Sequence, residues 1–170
     1  MTISTPLALL LTTLMFFSAP TALFSTSPAA GSPGKTHWSW PLSPKPGLQR
    51  AFDPPDKPWL SGHRGVDLGP SFDGAQVTSP ADGVVTFSGT VVDRPVLTID
   101  HSGLKSSFEP VASTLKPGDP VNKGQPIGTL EPGHCGTITC LHWGVRQDGT
   151  YINPLDLVQD MRPSVLLPLG

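Results

Sequence analysis

Gly62-His63-Arg64-Gly65-Val66-Asp67-Leu68-Gly69 sets an imidazole and a carboxylate four residues apart, between small residues that let the backbone turn closely. Imidazole nitrogen and carboxylate oxygen are both ordinary zinc ligands at about 2.0–2.2 Å, so His63 and Asp67 are a candidate pair for one metal ion. Such a pair is common by chance and gains weight only with a third donor. Cys140-Leu141-His142-Trp143-Gly144-Val145-Arg146, far downstream, offers one in His142, on a segment that reads as a strand. The two cysteines, Cys135 and Cys140, stand five apart. In an exported chain such a pair is expected as a disulfide, in a cytosolic one as a thiol pair or part of a metal site.

The elements that must position these groups lie in a 170-residue chain, long enough for one domain with its own core. Residues 1–34 carry no charged side chain, and two apolar runs, Pro6–Leu11 and Leu14–Phe17, precede small residues up to Ala29 and Ala30. This is the pattern of a secretory signal peptide over residues 1–29, although no Lys or Arg precedes the apolar run. A linker over 30–36, a domain over 37–160 and a tail over 161–170 follow. The expectation is an exported, extracytoplasmic protein, monomeric and with no membrane attachment after signal cleavage. A net charge of −2 is against a nucleic-acid partner, which would require a basic face.

With 18 glycines and 21 prolines spread along the chain, short strands are expected rather than helices. Strand patterns occur at Gly47–Phe52, Val84–Ser88, Val96–His101, Leu104–Phe108, near Ile127 and at Leu141–Arg146. Ser102-Gly103 and Asp148-Gly149 mark hairpin turns. Leu155–Met161 has room for one helical turn. These elements predict an all-β domain folded as a sheet sandwich. Trp38, Trp40 and Trp59 are expected to pack under the proline-rich loops, Trp143 to be core, and Arg64 and Arg146 to make surface or structural pairs.

Taken in order, Gly62–Asp67, Ala81-Asp82-Gly83-Val84-Val85, Thr98-Ile99-Asp100-His101, Val121–Gly128 and Leu141–Arg146 resemble the LytM/lysostaphin family of peptidoglycan zinc metallopeptidases. The resemblance runs from about Trp40 to Leu157. It implies an antiparallel β sandwich (a duplicated hybrid motif of the barrel-sandwich type) with a groove floored by Zn2+, and peptidoglycan peptide stems or cross-bridges as substrate. By the same resemblance His63, Asp67 and His142 are the metal ligands, with the fourth position open to water. The Val121–Gly128 segment also resembles part of a biotinyl or lipoyl carrier, but no Met-Lys-Met sequence accompanies it.

The resemblance departs at two positions. The family places two further histidines beside the metal, where they handle protons and stabilise the developing oxyanion. One falls on Cys140, the other on Pro110 within Phe108-Glu109-Pro110-Val111. Three outcomes stay open. His134, beside Cys135, serves as base, or is simply an exposed loop residue. Glu109 is set aside, since alternation sends it to the opposite face from residue 110. In a second outcome Cys140 is a reduced fourth zinc ligand. In a third, the domain no longer cleaves and instead binds peptidoglycan or regulates a partner wall hydrolase. His101 fits a structural turn.

Overall fold

The computed structural model describes residues 37–158; the signal-peptide and linker segments and the 161–170 tail lie outside them. The strands are β1 (Leu48–Arg50), β2 (Val66–Ser71), β3 (Gln76–Thr78), β4 (Gly83–Val91), β5 (Arg94–His101), β6 (Leu104–Glu109), β7 (Val111–Ala112), β8 (Pro120–Val121), β9 (Pro126–Leu130), β10 (Thr139–Gln147) and β11 (Thr150–Ile152), followed by the helical turn α1 (Leu155–Val158). The larger sheet runs β1-β2-β10-β6-β5-β4-β8, with β11 also on β10, and the smaller runs β3-β9-β7. Every pairing is antiparallel. The expected all-β antiparallel architecture is what the chain adopts.

Local chemistry accounts for the central strands. Leu141, Trp143 and Val145 alternate along β10 and are fully buried, as are Val66 and Leu68 on β2 and Phe108 on β6. Asp148 and Gly149 both take positive φ (49° and 84°), the geometry a two-residue hairpin loop requires, and Gln147 pairs with Thr150 across it. The β5–β6 hairpin closes with His101 opposite Leu104. Strand β4 departs from plain alternation: its register with β5 shifts between Val85 and Phe87, so Val85 is buried while Val84 and Phe87 are exposed.

One contiguous core joins inward residues of the larger sheet to Val77, Val111, Ile127 and Leu130 of the smaller one. Trp38 closes it, stacked on Trp143 at 6.1 Å and edge-on to His101 at 4.7 Å, so its role is packing. His101 is buried and structural: its imidazole contacts the Asp82 carbonyl at 3.0 Å and the Ser106 hydroxyl at 2.6 Å. Trp40 packs partly buried against the core, whereas Trp59 is largely exposed, with Lys57 Nζ 5.7 Å from its ring. Arg64 donates to the carbonyls of Pro58 and Leu60, and Arg146 lies over the Tyr151 ring. Phe108, between Leu97 and Trp143 in register, has no solvent exposure. Phe108→Ala is expected to lower unfolding free energy by about 3–5 kcal/mol, read as a reduced urea midpoint at unchanged m-value.

Candidate metal centre

The burial of Val66, Trp143 and Phe108 in one cross-strand row fixes what faces the other side. Adjacent to that row, Asp67 pairs with His142 and His142 with Glu109, so three neighbouring strands present these side chains in line on the face opposite the core. His63 enters just before β2, from a backbone bridge with Asp53 that joins it to the chain leaving β1. His134 comes from the loop cross-linked by Cys135–Cys140, whose Cα atoms are 5.9 Å apart.

The donor atoms converge. His63 Nε2 lies 3.0 Å from Asp67 Oδ1 and 3.1 Å from His142 Nδ1, and the last two are 2.8 Å apart. Behind them, His63 Nδ1 donates to the Ala51 carbonyl at 2.7 Å. A carbonyl can only accept, so the proton of a neutral His63 sits on Nδ1 and the Nε2 lone pair faces the cluster. Asp67 Oδ1 offers lone pairs alone. Of the three facing atoms, only His142 Nδ1 can carry a proton in a neutral ring, and one proton cannot bond along all three edges. A cation in the middle does, and the edges are near the ~3.3 Å expected between tetrahedral ligands at ~2.0–2.1 Å. The residues fit a divalent metal. His63 and Asp67 are 4% and 5% exposed, so this is not a chance surface cluster.

His134 stands beside this triangle, its Nε2 3.1 Å from Asp67 Oδ1 and its Nδ1 3.3 Å from Glu109 Oε1. The reading of His134 as an exposed loop residue is therefore corrected: its side chain is 17% exposed and belongs to a His63–Asp67–His134–His142 group. Burial alone would raise the Asp67 pKa. Hydrogen bonds with His134 and His142 outweigh it and hold the carboxyl well below the usual carboxylate range. His134 is pushed up to about 9, first by Asp67 and then by Glu109, against burial. Contact with His134 also lowers Glu109 against burial, with Arg94 adding to it.

Glu109 is the second correction. It does point away from the face of residue 110, but that puts it on the metal side, directly across from His142. Parity decides this, because Phe108 is buried in the core opposite Trp143 and its strand neighbour Glu109 must face the other way. Arg94, whose Nη1 donates to Glu109 Oε1 at 2.8 Å, gave no signal in the sequence. Cys140 as a zinc ligand is the third: it is disulfide-bonded to Cys135, and the described residues hold no free cysteine. Pro110 and Cys140 supply no imidazole, yet the loop between them returns one.

Comparison with known proteins places these features in context. Residues 61–154 match the family model of peptidase family M23. An uncharacterized protein of Mycobacterium tuberculosis (strain H37Rv) is 38% identical over 138 residues, 77% of this chain and 55% of that protein. The chain thus spans about half the length of the curated relatives it matches. A zinc-containing peptidase from Vibrio cholerae superposes with a TM-score of 0.60 at 22% identity, over 73% of this chain and 40% of that one. The catalytic domain of the antimicrobial peptidase lysostaphin from Staphylococcus simulans gives 0.58 at 19% identity, over 66% and 92%. Likeness at this identity is a likeness of fold.

Gly65 is where the site is tightest. A Cβ there would stand 2.5 Å from the Trp143 carbonyl and 2.8 Å from His142 Nε2. Gly65→Ala is expected to destabilise by about 1–3 kcal/mol, measured by chemical denaturation, as the strand and the imidazole give way.

Proposed function

The chain belongs to peptidase family M23, and from that premise we propose that it is an exported zinc metallo-endopeptidase acting on the peptides of bacterial peptidoglycan. The observation that carries the reading is the meeting of His63 Nε2, Asp67 Oδ1 and His142 Nδ1, with a further imidazole alongside. The charge-free first 34 residues with their apolar runs support export.

His63, Asp67 and His142 would hold the metal. Zinc bound there supplies Lewis-acid polarisation of a peptide carbonyl and a lowered pKa for a water. The chain's own part is geometric and protonic. Ala51 orients His63 through its carbonyl, and the Gly65 backbone lies against the His142 ring. His134, beside Asp67, would be the group to take up a proton at the reacting centre and return it to a leaving amine, the role for which positions 110 and 140 have no group. A wall-binding or regulatory module is the second reading, favoured by Pro110 and Cys140 alone.

The purified protein is expected to bind one equivalent of zinc and to release new amino groups from isolated cell wall. His142→Ala is expected to lose both. His134→Ala is expected to keep zinc and lose activity by about 10²–10⁴-fold. Zinc binding and wall binding without amine release would replace the peptidase by the binding module. Cleavage that persists in His142→Ala would exclude this metal site as its source.

A further inference from the structure

Strand β2 carries Asp67 to the metal triangle, and a few residues further on it walls a cavity of about 630 Å³. The other walls are the 42–49 chain and the turn that leads from Phe72 into β3. Gly69 N–H donates to the Gly47 carbonyl at 2.9 Å, and the Gln49 side-chain amide donates to the Gly69 carbonyl at 2.6 Å. A Cβ on Gly47 would stand 2.7 Å from the Gly69 carbonyl oxygen, so these two walls meet as closely as backbone allows. Leu42 and Ala75, both buried, make part of the lining apolar, while Ser43, Ser71 and Gln76 add hydroxyl and amide groups. Among the described residues of the lining Lys45 is the one charged side chain, and its ammonium lies 5.1 Å from the Trp40 ring. Phe72 lines the cavity while 71% exposed, so its turn holds it rather than burial. Ala75 N–H donates to the Phe72 carbonyl at 3.1 Å, Gly74 takes a positive φ of 81° and donates to the Leu130 carbonyl at 2.8 Å, and Thr139 Oγ1 donates to Asp73. An exposed phenyl ring on a braced turn is a contact surface whose ordering is complete before anything binds.

We propose that this cavity is a saccharide subsite that takes a sugar residue of the glycan strand, with Phe72 as its stacking platform. The inference rests on the peptidoglycan substrate proposed above and adds the part of that polymer gripped beyond the peptide. An N-acetylated amino sugar has an apolar C–H face for an aromatic ring and a methyl group for the Leu42 and Ala75 patch. Its neutral hydroxyl and amide groups match Ser43, Ser71 and Gln76. A stem peptide, with small side chains and carboxylates, offers little to a phenyl ring. Position points the same way. Gly69, Pro70 and Ser71 stand two to four residues beyond Asp67 on β2, about 7–13 Å along the strand at ~3.3 Å per residue. A stem extended over three or four residues spans about 10–14 Å. With the cross-link at the metal centre, the sugar that bears the stem falls at the cavity.

Titration of the full chain with the tetramer of β-1,4-linked N-acetylglucosamine, followed by amide NMR, tests this with or without zinc. Saturable shifts are expected at Gly47, Gly69, Ser71 and Gly74. Phe72→Ala is expected to weaken binding about 5–10-fold, and Phe72→Trp to restore it. Because Phe72 is exposed, the unfolding midpoint should not move. On cleavable substrates Phe72→Ala should raise KM by the same factor for a stem peptide that carries its disaccharide, with kcat unchanged. Both constants should stay as they are for the same peptide without sugar. No shift at these amides at millimolar sugar, native affinity in Phe72→Ala, or an equal rise in KM for the sugar-free peptide overturns the proposal. Phe72-dependent sugar binding in a protein that releases no amines supports the subsite and overturns the peptidase reading alone. Cleavage of cell wall with no sugar binding does the reverse.

Discussion

Asp67, His142 and Glu109 share one line across β2, β10 and β6 because Val66, Trp143 and Phe108 share the next line on the opposite face. A slip of one residue in either pairing would expose the largest buried side chains of the sheet and turn the carboxylates into the core. The hydrophobic term therefore specifies the site without contacting it. Burying a tryptophan and a phenylalanine contributes several kcal/mol to the correct register, far more than any polar contact on the site face. The geometry of the candidate site is thus set by core packing on the other face of the sheet.

His63 and His134 lie outside that register and are held by other means. His63 is fixed by a pair of backbone hydrogen bonds with Asp53 and by the Ala51 carbonyl, so the segment leaving β1 acts on the candidate site through main-chain atoms. His134 hangs from a loop whose end is anchored to β10 by the Cys135–Cys140 disulfide and the Cys135–Ile138 bridge. A cross-link of this kind limits what the loop can do before it folds as well as after, and so lowers the entropy lost in placing one ring. Cys140 thus has a share in the site although it brings no proton-handling group: it secures the loop that does.

These differences in support explain what could be read from the sequence. The grouping of His63, Asp67 and His142 was legible because residue type and spacing mark them as candidate metal donors, and the strands around His142 because Leu141, Trp143 and Val145 alternate. The Asp148-Gly149 turn and the β5–β6 hairpin were legible from local chemistry. His134 was legible only as a candidate, brought near His142 by the short Cys135–Cys140 loop, since nothing within its own segment says whether the ring turns inward or out to solvent. Glu109 was misjudged for a different reason. Its parity was reckoned against residue 110, where a histidine was missing, instead of against Trp143, whose burial decides which face is the core. The Ala51 carbonyl is invisible to any reading by side chains.

The site's charges make the arrangement coherent. Asp67 is nearly inaccessible, and an ionised carboxylate so placed needs a positive partner. Arg94 cannot be that partner, because it is engaged by Glu109 and Asp93. Two carboxylates at the site, Asp67 and Glu109, thus face one permanent cation, and the deficit falls on the imidazoles. In the metal-free protein His134 meets it by holding its proton up to a pH of about 9. A divalent cation held among His63, Asp67 and His142 would meet the same deficit at its source, so the buried carboxylate, the imidazoles around it and a bound cation answer one electrostatic requirement together.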